Sequence, residues 1–349
     1  MNTTESTRVK RETKNTIRVD FERTSFWKRM QVKYLSLFFL QKIVWVIFRT
    51  VLLIGISYVV LFPFFAKITG SFMSPEDFLD SMVKMVPKYP TLNTYRAIII
   101  ENNYYRALFN TSMLSLACSL IQMFICTLVG YGFSKFKFKG NTLFFVIVMF
   151  TLLVPHQTIQ FSLFMKFRYF DFLNIYEFFR STIMGATRDL QINMINTYYP
   201  LIIMSLTGLA FKNGLYILVM RQAFKGIPDE LEEAAYVDGA GVFRTFFTIV
   251  IPNSIPMMIT IFLLSFTWQW TDEFYVELFT TETGPYLIPR IVQIPRSLTQ
   301  SQAAIAASTM YQSAIRNTCG LMIIAPLIVV YLAGQRFLIE GIERTGVTG

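Results

Sequence analysis

The sequence predicts an all-α integral membrane protein with six transmembrane helices. Of its 349 residues, 53% are hydrophobic and only 15% are charged, and the mean hydropathy is +0.45. A soluble domain cannot bury that much apolar surface, so a membrane protein is the first expectation. The apolar residues gather into runs near the ~20 residues that a hydrocarbon layer of about 30 Å requires of a helix. The approximate limits of these runs are 43–65, 108–131, 143–164, 198–220, 254–274 and 319–338.

Polar segments flank the predicted membrane domain, which covers residues 43–338. Residues 1–42 are rich in Thr, Lys and Arg and are expected to be disordered as far as about Glu22. Residues 26–40 mix aromatic and basic side chains, which fits either a helix lying at the membrane surface or a simple positively charged retention signal. Residues 339–349 form a short C-terminal tail.

The positions of lysine and arginine predict the orientation. Most of those outside the apolar runs lie in the N-terminal segment, in the loops after the second and fourth runs, and at the C-terminus. The positive-inside rule places these segments, and therefore both termini, in the cytosol. The same rule accounts for the net charge of +10. We therefore expect membrane lipid, and no nucleic acid, as a partner.

The chain offers little for catalysis or metal binding. Its three cysteines, Cys118, Cys126 and Cys319, all lie in apolar runs, and His156 is its single histidine. Neither a disulfide framework nor a metal site follows from this pattern. A glycine-rich phosphate loop and a nucleophile motif are both absent from the sequence. We therefore expect no catalytic residue and no cofactor bound by this chain.

The segment 227–252 stands out because it is rich in charge and lies between two apolar runs. Pro228 suits the start of a helix, and the acids that follow it favour the positive end of the helix dipole. Asp238 and Gly239 form a turn signal that ends this helix, and Gly239 is expected to need a positive φ. A second helical run, 242–251, reaches the proline at the end of the segment. Small alanines beside acids are suited to a helix that docks on another protein.

The same segment resembles a loop of bacterial ABC-importer permease subunits. It follows their EAA-x3-G-x9-I-x-LP pattern, with Ile251 in place of the usual Leu. In that family the loop forms a coupling helix, which sits in a groove of the cytoplasmic ATPase. A lone EAA triplet would instead indicate an ordinary amphipathic loop. The resemblance assigns ATPase coupling to Glu233, Ala234, Ala235, Asp238, Gly239, Ile249 and Pro252.

Other segments resemble the carbohydrate-importer branch of that family. Residues 128–140, LVGYGFSKFKFKG, are similar to the segment that closes the second span there. Residues 335–349 resemble the ending of the maltose-transporter-type second permease, although Thr348 stands where Lys is common. The resemblance covers residues 45–349, with a loop at 166–200 that looks longer than usual.

The resemblance implies the type I ABC-importer permease fold, with the coupling loop 221–253 in the cytosol. The implied partners are a second homologous permease, a cytoplasmic ATPase dimer that binds ATP and Mg, and an extracellular sugar-binding protein. The implied function is ATP-driven import of oligosaccharides across the bacterial plasma membrane. A permease for a non-sugar cargo is an alternative. A secondary transporter is another, although that class normally shows paired repeats and acids at midspan.

Polar residues within the apolar runs are candidates for the substrate path, because polar groups in a membrane usually face a cavity or another helix. Each has a structural alternative. His156 and its neighbours follow Pro155, whose missing N–H leaves a backbone carbonyl for them to satisfy. Lys212 could attract a sugar or pair with an acid, and a Trp near the end of a run is often an interfacial anchor. The candidates are His156, Gln157, Gln160, Lys212, Asn213, Trp268, Trp270 and Asp272.

Overall fold

The computed structural model describes Trp27 and residues 37–171, 192–210, 212–281, 284–306 and 308–346. Most of the predicted N-terminal tail, the middle of the 166–200 loop and the last three residues lie outside this part of the chain. The described residues are helices and connecting turns, with one isolated antiparallel bridge between Phe170 and Ile192. The prediction of an all-α protein is confirmed.

The chain divides into two compact units, residues 1–64 and 65–349. Helix α1, Leu37–Gly70, begins in the first unit and ends in the second. The described helices that follow it are α2 Asn93–Glu101, α3 Tyr104–Lys135, α4 Asn141–Leu153, α5 His156–Arg168, α6 Tyr199–Leu206, α7 Asn213–Lys225, α8 Asp229–Val237, α9 Val242–Trp270, α10 Phe274–Phe279, α11 Gln302–Ala306 and α12 Ser308–Gly346. Two short 3₁₀ turns lie at Ile288–Ile291 and Arg296–Thr299.

Four of the described helices, α1, α3, α9 and α12, are long and apolar enough to cross a membrane. The pair α4 and α5 makes a fifth candidate if it counts as one crossing. The first, second and sixth apolar runs of the sequence thus lie within α1, α3 and α12, and α9 contains the fifth run as far as Trp270. The third and fourth runs are not continuous helices, and the backbone explains why.

The third run bends by 101° between α4 and α5. Pro155 has no N–H to continue the helical ladder, and its ring disfavours the helical conformation at the residue before it. Val154 is accordingly extended, with φ −72° and ψ 116°. The predicted run at 143–164 is therefore a bent pair of helices rather than one straight helix.

The fourth run is interrupted between α6 and α7. Gly208, with φ +72°, and Lys212, with φ +67°, both adopt the left-handed conformation. A right-handed helix cannot pass through such residues, because the left-handed conformation turns the chain the other way. The predicted run at 198–220 is therefore two helices, α6 and α7, with a break between them.

Helix α9 joins the second half of the charged segment to the fifth run without a break. Its turn Phe246–Val250 is π-helical, and the N–H of Ile251 donates to the carbonyl of Phe246. Pro252 accounts for this wider turn, because it has no N–H for the carbonyl of Thr248 and its ring crowds that carbonyl. Helix α12 likewise continues to Gly346 and so includes most of the predicted C-terminal tail.

Helix α3 lies at the centre of the second unit, where it packs against α6, α7 and α9, and α9 packs in turn against α12. A glycine lets the backbones of α3 and α7 come close together. A Cβ added to Gly130 would lie 2.6 Å from Met220 Cβ, so α3 and α7 are in backbone contact there. An aromatic cluster fills the space beside this crossing, and it includes Tyr131, Phe224 and Phe246.

Candidate functional site: a tethered docking helix and two openings

Helix α8 has the acidic start that its sequence predicts. It begins directly after Pro228, and three acids occupy its first turn, where the helix dipole stabilises them. It ends where the Asp-Gly signal places the turn. Gly239 has φ +81°, and the N–H of Ala240 donates to the carbonyl of Ala235 over 2.9 Å. This is the Schellman arrangement, which needs a left-handed residue after the helix. The prediction of a positive φ at Gly239 is confirmed.

The two alanines of the EAA triplet differ in burial. Ala235 is buried, as is Glu232, whereas Ala234 and Glu233 are exposed. Val237 is 87% exposed. The expectation that the two alanines share one face was wrong, because successive residues lie about 100° apart around a helix, which leaves Ala234 exposed and Ala235 buried. The outward surface combines an acid, a small residue and an apolar side chain.

Lys135, at the end of α3, holds the start of α8. Its Nζ donates to Asp229 Oδ1 over 2.5 Å and to the carbonyl of Ile227 over 2.9 Å. The same nitrogen lies 3.2 Å from Glu232 Oε1, an ion pair whose geometry is not that of a hydrogen bond. The Lys135 ammonium also holds the pKa of Asp229 below its ordinary value. The side chains of Lys135 and Glu232 are 10% and 8% exposed, so this pair is largely desolvated.

Tyr131, one turn before Lys135, completes the attachment. Its phenol donates to Glu232 Oε2 over 3.0 Å. Its ring centre lies 4.8 Å from that of Phe246 in α9 and 5.6 Å from that of Phe224 in α7. Four helices therefore meet around one tyrosine, which links α8 to α3, α7 and α9.

The sequence analysis did not predict that Tyr131, Lys135 and Glu232 lie together in one site. A signal existed, because the first two lie in the segment 128–140 that resembles the importer family and Glu232 adjoins the EAA triplet. Their pairing was not visible, since Tyr131 and Glu232 are 101 residues apart. Only the crossing of α3 and α8 brings them together.

The candidate substrate-path residues lie at two different openings. His156, Lys212 and Asn213 line a cavity of about 380 Å³ between the α4–α5 bend and the α6–α7 break. His156 Nδ1 lies 2.7 Å from Tyr275 Oη, and Lys212 Nζ lies 5.2 Å from the ring centre of Trp268. The structure thus brings four of the eight candidates to one place.

Gln157 and Gln160 face a wider cleft of about 810 Å³, which Phe274 and Glu277 also line. These two glutamines follow His156 on the same helix, α5, but they line a different opening. They do not share a site with Lys212 and Asn213.

Trp270 and Asp272 both make hydrogen bonds within the protein. Trp270 is 2% exposed, and its Nε1 donates to the carbonyl of Ile323 over 3.1 Å. Asp272 Oδ1 accepts the N–H of Tyr275 over 3.0 Å, next to the start of α10. Neither lines the two openings. For Trp270 the packing role is the one that the structure displays.

A helical domain with several candidate membrane spans, and with broken helices beside a cavity, is typical of a membrane transport protein. Comparison with known proteins identifies the family. The chain belongs to the binding-protein-dependent transport system inner membrane components, whose family model matches residues 98–343. The alternative of a secondary transporter is therefore wrong.

Relatives of known designation cover most of the chain. It is 27% identical over 308 residues to the probable ABC transporter permease protein YurM of Bacillus subtilis (strain 168), which covers 88% of each chain. It is 25% identical over 281 residues to the probable starch degradation products transport system permease protein AmyC of Thermoanaerobacterium thermosulfurigenes. That match covers 80% of this chain and 89% of the relative.

Two solved structures show the fold. One is a bacterial ABC transporter involved in the import of the acidic polysaccharide alginate, with a TM-score of 0.61 and 18% identity over 85% of this chain and 97% of that one. The other is a bacterial alginate ABC transporter in complex with an alginate pentasaccharide-bound periplasmic protein, with a TM-score of 0.55 and 15% identity over 88% and 95% of the two chains. The chain thus has the type I ABC-importer permease fold, as the sequence predicted.

Proposed function

We propose that this chain is one half of the channel of an ATP-driven, binding-protein-dependent importer of oligosaccharides. A second homologous permease forms the other half. A cytoplasmic ATPase dimer holds the ATP and Mg, and an extracellular sugar-binding protein delivers the cargo. Both termini and the coupling loop lie in the cytosol of a bacterial cell.

The observation that supports this proposal is the attachment of α8. Its outward surface, with Glu233, Ala234 and Val237, is free for a partner, while its inward surface is held by Lys135 and Tyr131. A displacement of α8 by a closing ATPase is therefore passed to α3 and α9 rather than absorbed by a flexible loop. Such a rigid coupling suits a two-state channel whose equilibrium is biased by both ATP and the loaded binding protein.

The carbohydrate class rests on different support. AmyC is designated for starch degradation products, and the two structural neighbours are alginate transporters. The second of them holds a periplasmic protein loaded with a pentasaccharide, which supports an external binding protein as a partner here. The carbohydrate-type ending of this chain at 335–349 points the same way.

The test is reconstitution of the complete transport system in proteoliposomes: this chain, its second permease, its ATPase and its binding protein. Maltotriose, arabinotriose and an alginate trisaccharide serve as the sugar probes. We expect one of them, with the binding protein, to stimulate ATP hydrolysis and to enter the vesicles. Glu233→Lys should release the ATPase, which is measured by co-purification, and abolish uptake while the permease pair stays in the membrane.

Two results would contradict the proposal. Wild-type uptake by the Glu233→Lys complex would remove the coupling role of α8. Stimulation by amino acids or phosphate esters, with none by the three sugars, would favour the alternative of a permease for a non-sugar cargo.

A further inference from the structure

The cavity between the broken helices has the size of a ligand site. Its volume is about 380 Å³, within the range of about 300–1,000 Å³ typical of small-molecule pockets. Its walls are mostly apolar, with a few polar groups at the ends of α5 and α7. Breaks in membrane helices expose backbone and side-chain polar groups, and they occur where such groups face a cavity.

Asn213 is one of the residues that line this cavity, and its side chain carries a buried amide. The residue is 1% exposed, and neither Oδ1 nor Nδ2 of its side chain has a hydrogen-bond partner in the described part of the chain. Its backbone N–H, by contrast, donates to the carbonyl of Ala210 over 3.1 Å. Buried polar side chains are nearly always paired, so an amide with both ends unsatisfied calls for an explanation.

The position of this amide is held by its neighbours. Gly214 brings α7 so close to α4 that an added Cβ would lie 2.9 Å from Thr151 Oγ1 and 3.0 Å from Leu152 Cγ. Lys212, on the other side, is locked in the left-handed conformation. These two features fix the backbone at the start of α7 and keep Asn213 beside the cavity.

We propose that this cavity is a sugar subsite of the permease, in which the Asn213 amide hydrogen-bonds two neighbouring hydroxyl groups of one sugar ring. An amide offers an acceptor oxygen and a nitrogen with two donors. Adjacent hydroxyls each donate and accept, so they match this pair of atoms. The apolar walls, which include Ile159, Leu163 and Leu209, suit the C–H faces of the ring. The inference rests on the proposed function and assigns to this chain a share of the binding site.

The experiment compares Asn213→Leu with Gln122→Leu in the reconstituted complete system. Gln122 is a buried amide of α3 whose Nε2 already donates to Ser205 Oγ over 3.3 Å. The probe is whichever of maltotriose, arabinotriose or alginate trisaccharide the wild-type system takes up. The measurements are KM and kcat for uptake and the Tm of the purified complex without sugar.

For Asn213→Leu we expect KM to rise roughly tenfold or more, because one lost hydrogen bond represents up to about a factor of ten and the amide makes two. Its Tm should be unchanged or higher, because an unsatisfied buried amide has been removed. For Gln122→Leu we expect the reverse pattern, an unchanged KM and a lower Tm.

An unchanged KM in Asn213→Leu, with wild-type uptake intact, would overturn the subsite and leave the proposed function standing. A fall in Tm without a rise in KM would do the same, since it would show that the amide supports the fold. Failure of the wild-type system to take up any of the three sugars would overturn both proposals, so the two failures are distinguishable.

Discussion

The phenol of Tyr131 donates a hydrogen bond of 3.0 Å to Glu232 Oε2 and so joins α3 to the docking helix α8. Lys135 lies 3.2 Å from the other oxygen of the same carboxylate. A buried carboxylate of α8 is thus matched by one cation and one phenol, both on α3, about 100 residues earlier in the chain. This group carries the first two predictions.

Lys135→Met should destabilise the permease strongly. It leaves the Glu232 carboxylate buried without its cation, and breaking a buried pair from one side costs about 3–5 kcal/mol. The double variant Lys135→Met/Glu232→Leu should recover much of that loss, because no buried charge remains. Thermal unfolding of the complex in detergent measures both. A double variant no more stable than the single one would show that the pair is not desolvated as the structure indicates.

Tyr131→Phe should uncouple transport from ATP hydrolysis. The change removes only the hydroxyl and its hydrogen bond to a charged group, about 1.5–3 kcal/mol, while the ring contacts with Phe224 and Phe246 remain. We expect uptake per ATP hydrolysed to fall severalfold. Tyr105→Phe, on the exposed side of the same helix, is the matched control and should leave the ratio unchanged. Equal ratios in the two variants would deny the hydroxyl a coupling role.

Gly239→Val should impair the docking turn through the backbone alone. A Cβ at Gly239 would meet nothing within 4 Å, but φ is +81°, where a non-glycine residue costs about 1–2 kcal/mol. We expect loss of ATPase co-purification with Val and a milder loss with Asn, which tolerates this conformation. Gly241→Val is the control, because that site is equally open and has φ −77°. Comparable losses at both positions would mean that side-chain bulk, not φ, is responsible.

Alanine substitution at Gly130 and at Gly132 should have opposite effects on stability. The Cβ of Gly130→Ala would lie 2.6 Å from Met220 Cβ and 3.1 Å from the backbone nitrogen of Arg221. Overpacking of this kind costs about 1–3 kcal/mol. Gly132 has nothing within 4 Å, so its alanine should stabilise the helix by about 0.5–1 kcal/mol. Thermal unfolding decides, and equal midpoints for the two variants would contradict the close crossing of α3 and α7.

Two substitutions at Lys212 separate the effect of its amine on uptake from the effect of its backbone conformation on stability. Its φ of +67° is left-handed, so Lys212→Gly should relieve strain and keep or raise the Tm, whereas Lys212→Met keeps the strain. Both remove the amine that lies over Trp268 beside the cavity, and we expect uptake to fall severalfold in both. Unchanged uptake in Lys212→Met would take Lys212 off the substrate path.

The breaks in the third and fourth apolar runs show where local sequence patterns no longer predict the course of the helices. Pro155 was visible as a possible disturbance of its helix, but its consequence depends on whether neighbouring helices can accept a bend of 101°. The sequence around the break before Asn213 indicated it less clearly than Pro155 indicated the bend. Glycine is common in membrane helices, so Gly208 does not by itself predict a break. Nothing in the local sequence requires Lys212 to adopt a positive φ. A lysine keeps a left-handed backbone conformation only where contacts with the surrounding structure hold it there.

The sequence by itself determined the class, the membrane runs, the limits of the docking helix and the special backbone at Gly239. These depend on hydropathy over about twenty residues and on capping and turn chemistry over three or four, which are local properties. Only the tertiary structure decided that Ala235 turns inward, that Tyr131 and Lys135 hold Glu232, and that Asn213 shares a cavity with His156 but not with Gln157. Those relationships depend on which helices cross and how closely, and helix crossings are set by packing between segments far apart in the chain.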